Sequence, residues 1–414
     1  MWEFNYGEWS EAYVFLRLLG TGRIYAANET FDRNPNSYID VVNILRFEQH
    51  HTLRFDRVLE MEDVQEYVDD SLCRLIPYIE LNERADYLLN EMRNITSNNR
   101  KFQVPEIERY LLNLGFSQPK APKLPTEIAN QYGKKSDIII TIFNSIDNVS
   151  SVAGFSIKSH LKSASTLFNC APASNLRYEI VGCNDDLMNH INGNLIDSEK
   201  NMFRFIKNDP RLSLEFIGTS DAFYDNLDLI DSRMPEILSS IMLIQIGYYD
   251  KARTNGTADL VNMLVTIDPV HARRPELFYK AKIKEFLYDS FAGLTATELW
   301  DGRRRLSGGY IDVGANGELL YYRAVSDDIF TAFLYNRTFF DRPSRGVNKD
   351  VAKVVAQANL ECRTVTEEEL HVASYQFDQR TGKEKRKPIK GDWGYVYKED
   401  NRFFININFQ IRFK

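Results

Sequence analysis

Cysteine is scarce in this chain. The four in 414 residues, Cys73, Cys170, Cys183 and Cys362, show no C-x-x-C spacing, so neither a zinc site nor a disulfide framework is expected. Long apolar runs are missing too: none approaches the roughly 20 residues a membrane helix needs, and mean hydropathy is -0.38. Residues 1–19 carry Glu3, Glu8 and Glu11 instead of a basic stretch followed by an apolar one, which argues against a signal peptide. No internal repeat is evident. Positive charge is not in excess either. The net charge of -7 excludes a protein that coats nucleic acid indiscriminately, although an acidic protein can still carry a locally positive cleft. The expectation is a soluble cytoplasmic protein with free thiols and no membrane partner.

What is present is enough apolar sequence, 43%, to build the core of one large domain or two ordinary ones. Charge is unevenly spread. Residues 379–414 hold ten Lys or Arg against four Asp or Glu, a local +6, which leaves -13 on the rest. The run Arg380, Lys383, Lys385, Arg386, Lys387 and Lys390, with Gly382 and Pro388, reads as a basic loop suited to phosphate contact.

Four regions follow from local patterning. Residues 1–125 read as mostly helical and end in a proline-rich linker, 118–125. Trp9, Ala12, Leu16 and Leu19 make one helical stripe stopped by Gly20 and Gly22. Asp63 to Ile95 reads as a second helix with a break at Pro77, and Glu106 to Leu114 as a short third. Residues 126–195 turn β-rich: Ser136 to Phe143 and Val152 to Lys158 form a hairpin pattern, and Leu176 to Val181 a third strand. Residues 196–300 read as a helical insertion or subdomain. Residues 301–414 return to strands, with Asn316-Gly317 as a hairpin turn and an Ile/Phe–Asn/Gln/Arg alternation from Phe403 to Phe413 that sets one face to the core and the other to solvent.

The chemistry centres on Asp137, at the opening of one strand, and Ser156-Ile157-Lys158, closing the next. Residues 156 and 158 share a strand face because side chains alternate. A carboxylate beside a lysine at adjacent strand ends outlines a metal-dependent hydrolysis site: the carboxylate suits Mg²⁺, a hard, oxygen-seeking cation, and the lysine suits orienting or deprotonating an attacking water. The usual form of this motif has an acid where Ser156 stands, so a second metal-binding carboxylate must come from elsewhere. Ser159 to Tyr178 contains no Asp or Glu, which closes the route through the following segment. Glu8 and Glu11 share a face of the first helix, and Glu179 is the first acid downstream; Glu11, one turn further into the helix than Glu8, is preferred. The acid-free stretch offers Lys162, Thr166, Asn169 and Asn175 among other polar groups, the surface chemistry of a DNA contact.

The segments Gly7-Glu8-Trp9-Ser10-Glu11, Tyr25-Ala26-Ala27-Asn28-Glu29, Phe155-Ser156-Ile157-Lys158-Ser159, Thr166-Leu167-Phe168-Asn169, Asn336-Arg337-Thr338-Phe339 and Asn406 to Phe413 recur in order along the chain in a way that resembles the HpaII family of type II restriction endonucleases. The resemblance implies an α/β (α+β) fold with a PD-(D/E)xK core, a mixed sheet flanked by helices with helical and β-hairpin elaborations. It also implies a dimeric, Mg²⁺-dependent nuclease cutting both strands of double-stranded DNA at a short palindrome, of which CCGG is the family's best-known target. Asp137 and Lys158 would be catalytic, with Ser156 in the vacated acid position and Glu11 joining Asp137 on the metal. Arg337, Arg342, Arg345, Asn408, Gln410 and Arg412 would be the candidates for reading bases, since two G·C pairs favour donors to guanine O6 and N7. Competing readings are a shape-reading repair or junction nuclease of the same fold, a DNA-binding protein with an inactive nuclease site, and a helical scaffold with a small β appendix.

Overall fold

The structure is a computed structural model and describes residues 1–28, 30–95, 101–133, 135–144, 148–161, 165–193, 199–249, 254–304, 308–323, 328–342, 354, 357–358, 361, 363, 366–378, 383–386 and 393–414. It opens with helix α1 (Tyr6–Thr21). Asn5 caps it: its side chain accepts from the Glu8 backbone N–H while the Glu8 carboxylate accepts from the Asn5 N–H, a reciprocal box that satisfies two exposed donors. Gly22 ends it in the left-handed conformation, φ 70°, which a residue with a side chain adopts at a cost. Gly20, expected to stop the helix, lies inside it.

Strands β1 (Arg23–Ala27), β2 (Arg33–Phe47), β3 (Thr52–Val58), β4 (Asp63–Val68) and β5 (Ser71–Pro77) follow, then helices α2 (Tyr78–Asn94), α3 (Pro105–Asn113) and α4 (Thr126–Tyr132). This corrects the mostly helical reading of the first 125 residues. The helix expected over Asp63 to Ile95 begins only at Tyr78, with two strands ahead of it. Next come β6 (Ile138–Asn144), β7 (Val149–Ser159), β8 (Thr166–Phe168) and β9 (Leu176–Val181). Helices α5 (Asp185–Gly193) and α6 (Glu199–Asn208) then lead through β10 (Ser213–Gly218) into α7 (Asp221–Asp228), α8 (Met234–Gln245), α9 (Thr257–Ile267) and α10 (Pro275–Ala292). The last part holds β11 (Gly309–Val313), β12 (Leu319–Arg323), α11 (Asp328–Arg337), β13 (Thr338–Asp341), α12 (Glu367–Ser374), β14 (Tyr375–Asp378), β15 (Lys383–Arg386), β16 (Val396–Glu399), β17 (Arg402–Ile407) and β18 (Gln410–Phe413).

The protein is a mixed α/β fold. Its largest sheet runs β1-β12-β11-β7-β6-β2-β3-β4-β5, and β1 also pairs with β2, so six strands close into a ring from which β3, β4 and β5 extend. The sheet is mixed, with β1–β12 and β11–β7 parallel and the rest antiparallel. Closure was not anticipated from the sequence. It depends on β2, whose first half pairs with β1 and second half with β6, with a register shift at Val41/Asn43; an inserted residue bends a strand and deepens its twist. One cluster of buried side chains joins α1, α2 and α3 to this sheet, through Trp9, Leu16, Ile140, Phe155, Ile157 and Ile311 among others. A second, larger cluster gathers the helices α6 to α11 with two further sheets, β10-β9-β17-β16 and β13-β18-β8, while β14 and β15 pair separately. No helix among the described residues is long and apolar enough to cross a membrane.

The C-terminal stretch also departs from expectation. Phe403 to Phe413 is two strands: β17 belongs to the four-stranded sheet and β18 to the three-stranded one. At the crossing, Asn406 and Asn408 are buried, so the polar face read from their alternation with Ile and Phe is not wet along its length. Part of the expected basic loop, Lys383–Arg386, is strand paired with β14; Arg380, Lys387 and Lys390 lie outside the described residues.

Candidate active site

Asp137 sits immediately before β6. Its backbone N–H donates to the Phe155 carbonyl (2.8 Å), fixing it against β7. One carboxylate oxygen, Oδ2, accepts from the Ser156 hydroxyl (3.1 Å) and from the Ile157 N–H (2.7 Å). Ser156 thus serves Asp137 as a hydrogen-bond donor where the usual motif would put a second acid. The close approach of the loop to β7 needs Gly154: a Cβ there would lie 2.4 Å from the Tyr132 carbonyl and 2.3 Å from the Ser136 hydroxyl, on the residues leading into Asp137.

The two candidate acids of α1 part company in the structure. Glu8 is spent on the helix cap and accepts from the Lys120 ammonium (2.7 Å). Burial disfavours its charge, but the Asn5 N–H and Lys120 outweigh that and hold its carboxyl below the usual range. Glu11 faces the same proline-rich segment and accepts the Ala121 N–H (2.6 Å) on Oε2. Burial first, then the charge of Asp137, push it up to about 8; the Ala121 N–H, Arg46 and Lys158 pull the other way. Asp137 is raised as well, chiefly by burial, against the pull of Lys158 and its two hydrogen bonds. Glu11 and Asp137 therefore form a pair of carboxylates that repel each other, and Glu11, Phe15, Arg46, Ala121, Pro122 and Asp137 line one cleft. Glu179, the remaining alternative, is on β9 and ion-paired with Arg402.

Two lysines complete the site. Lys158 interacts electrostatically with both acids, and its ammonium makes no hydrogen bond or ion pair with a described residue. Lys135, two residues before Asp137, donates to the Ser290 carbonyl near the end of α10 (2.5 Å), and burial pulls its ammonium down to about 8, with Lys158 adding to the effect. On the neighbouring strand, Asp312 stands in register with Lys158, but it already accepts from Tyr310 (2.8 Å) and pairs with His160 (3.0 Å).

Among the described residues no group of three or more His, Cys, Asp or Glu is gathered to hold a metal. The pair Glu11 and Asp137 nonetheless fits Mg²⁺, which is typically held by one or two carboxylates and keeps several of its waters. Glu11 Oε1 and Asp137 Oδ1 accept no hydrogen bond from a described residue.

The residues expected to touch DNA divide. Asn175 and Asn408 are buried and bonded to each other (2.6 Å), with Asn408 also donating to the Ala171 carbonyl (2.6 Å). Their amides hold the crossing between sheets and are not presented to a groove. Thr166 lies on β8 opposite Arg412. Gln410 and Arg412 converge on Asp341 Oδ2, at 2.9 and 3.4 Å. Asn169 and Arg337 are exposed, Arg337 reaching over the Phe31 ring (5.1 Å), and Arg342 is part-exposed beside Asp341. Lys162 and Arg345 lie outside the described residues.

The sequence reading missed Arg46, Lys120, Ala121 and Lys135. Lys135 lies two residues before Asp137 in the turn ahead of β6, and Arg46 occupies the same buried phase of β2 as Ile44. A charge in an apolar phase was the available signal for Arg46. Nothing in the linear pattern tied residues 118–121 to the site.

A family model described as HpaII restriction endonuclease matches residues 5–350, a span that holds Glu11, Asp137 and Lys158. The class follows: this is a site-specific deoxyribonuclease, a type II restriction enzyme. The chain belongs to the HpaII restriction endonuclease family. It is similar to the type II restriction enzyme HpaII of Haemophilus parainfluenzae, with 28% identity over 413 residues covering 99% of this chain and 98% of that protein. No solved structure matches.

Proposed function

We propose that this enzyme hydrolyses both strands of double-stranded DNA at a short palindrome such as CCGG, in a Mg²⁺-dependent reaction at Glu11, Asp137 and Lys158. The observation that carries the reading is the pairing of two mutually repelling carboxylates, each with an uncommitted oxygen, beside a lysine that no other described residue engages. Glu11 and Asp137 would hold the cation, which when bound supplies Lewis acidity at the scissile phosphate. Ser156 and the Ile157 N–H orient Asp137 by occupying its other oxygen. Lys158 would orient the attacking water and stabilise the negative charge on the non-bridging phosphoryl oxygens as the water oxygen bonds to phosphorus and the P–O ester bond breaks, with the water's proton passing to solvent and the leaving oxygen taking one from it. The catalytic core is on this reading a PD-(D/E)xK arrangement in which Glu11 of α1 stands in for the acid missing at Ser156.

A palindromic target calls for a two-fold symmetric homodimer, one active site per strand, acting in the cytoplasm where the DNA is. Thr166, Asn169, Arg337, Arg342, Gln410 and Arg412, with Lys162 and Arg345, are the groups proposed to meet DNA. The four-region division at residues 125, 195 and 300 assigns the core helix bearing Glu11 to 1–125, the catalytic strands with Asp137 and Lys158 to 126–195, and DNA contact chiefly to 301–414.

The test is digestion of unmethylated plasmid with Mg²⁺. Discrete fragments whose ends map to one palindrome support the reading. Cleavage at branched or mismatched substrates without fixed fragments points to a junction or repair nuclease. DNA binding without cleavage in either Mg²⁺ or Mn²⁺ points to an inactive site.

A further inference from the structure

We propose that Arg46 is a positioning residue: by clamping the backbone of residues 118–120 it holds the Ala121 N–H against Glu11, and so selects Glu11 over Glu8 for the divalent cation. The inference rests on the reading of Glu11 as a cation ligand. Arg46 is buried at the end of β2, its guanidinium over the Phe116 ring (3.9 Å). Nε donates to the Glu48 carboxylate (2.6 Å), itself buried and bonded to the Ser117 hydroxyl. One terminal nitrogen donates to two carbonyls, Gln118 and Lys120, at 2.7 Å each. A planar guanidinium is suited to such a fork, and a lysine is not.

The clamped segment then does two different things to two acids one turn apart. The Lys120 side chain takes Glu8, neutralising it. The next residue offers Glu11 only a backbone N–H, which fixes one oxygen, brings no counter-charge and leaves the second oxygen open to a cation. Prolines at 119, 122 and 125 stiffen the segment, but they supply no bond to the core; the clamp does. Outer groups that orient ligands in this way are commonly worth 10–100-fold in metal affinity.

Charge and positioning predict opposite signs, which makes the proposal testable. Removing a cation close to a metal site strengthens cation binding if charge alone matters, whereas losing the clamp weakens it. Mn²⁺ binding would be measured by calorimetry on the folded protein without DNA, for wild type and for Arg46→Met, Arg46→Lys, Glu48→Gln and Glu11→Gln, with folding checked by circular dichroism. The expected result is that Arg46→Met weakens Mn²⁺ at least about tenfold, with Arg46→Lys restoring only part of the loss. Should Arg46→Met not fold, Glu48→Gln, which keeps an acceptor for Nε but loosens the clamp, is expected to weaken Mn²⁺ in the same direction. Unchanged or tighter binding in the folded variants overturns the proposal. If Glu11→Gln also leaves Mn²⁺ binding intact, the reading of Glu11 as a ligand fails instead.

Discussion

Without a divalent cation, Glu11 should make this protein lose stability as pH rises. Its carboxyl is ordinarily near 4.5 and is pushed up to about 8 in the folded protein by burial and then by Asp137. Between those values the folded state holds a proton that the unfolded chain has released. The stabilisation is complete below the unfolded value and is lost as pH climbs through the folded one. At about 1.4 kcal/mol per pH unit, the rise of three to four units amounts to at most about 5 kcal/mol. Asp137 is raised too and contributes with the same sign. Lys135, lowered to about 8, acts oppositely and only above that value, so the fall below pH 8 belongs to the carboxylates. An unfolding entropy of about 2.1 cal/mol/K per residue gives a chain of this length roughly 1 °C per kcal/mol. Between pH 5 and 8 about three quarters of that is lost, so the expected fall in Tm in EDTA is about 4 °C. Calorimetric melts would show most of that slope removed in Glu11→Gln but retained in Glu8→Gln, whose carboxyl is lowered and already neutralised. Saturating Mg²⁺ should also flatten the wild-type slope, because the cation replaces the proton as the counter-charge. Parallel pH profiles for wild type and Glu11→Gln would refute the electrostatic account of the pair, and so would a slope that Mg²⁺ leaves untouched.

Three other outcomes follow from the same geometry. Lys158→Ala should lower cleavage by at least about 10²-fold while plasmid gel shifts show DNA binding retained; equal loss of binding would move Lys158 from the chemistry to the DNA contact. Gly154→Ala places a Cβ 2.4 Å from the Tyr132 carbonyl, so urea denaturation should show about 1–3 kcal/mol of destabilisation, and cleavage should drop as residues 132–136 shift Asp137. Asn408→Ala removes the donor to the Asn175 side chain and one of the donors to the Ala171 carbonyl, which keeps Ser174, and should cost about 1–3 kcal/mol with cleavage per folded molecule intact. Selective loss of cutting at correct sites would show instead that Asn408 reads DNA.

The elements that were legible are those whose apolar pattern stays in phase. The β6–β7 hairpin, β9 and the Asn316-Gly317 turn each carry an uninterrupted local signal, and α1 keeps its stripe under a capping acid. The strands β4 and β5 were not legible for an identifiable reason. In β4 the buried phase runs Val64, Glu66, and a glutamate in the middle breaks the alternation that marks a strand. Glu66 is tolerated there because Arg74 on β5 pairs with it, a partner that only the fold brings near. β5 is an edge strand exposed along most of its length, so burial imposes no pattern on its residues. The terminal strands erred the other way: Asn406 and Asn408 alternate with Ile and Phe as a wet face would, yet the chain changes sheets there and buries both.

The site shows the same limit more sharply. That Asp137 and Lys158 lie near each other was legible in the sequence because one hairpin joins them, and hairpin pairing is a local property. The choice between Glu8 and Glu11 could not, because as members of one helical turn they are equivalent until something packs against them. What separates them is Lys120 on one and the Ala121 N–H on the other, more than a hundred residues along the chain. The clamp on that segment runs from β2, and its only trace in the sequence is an arginine in phase with Ile44. The proline-rich stretch first read as a spacer between regions is therefore part of the site's wall. On the proposed reading, the acid absent at position 156 is supplied from α1, where that wall engages Glu11 through one backbone N–H on Oε2 and leaves Oε1 open.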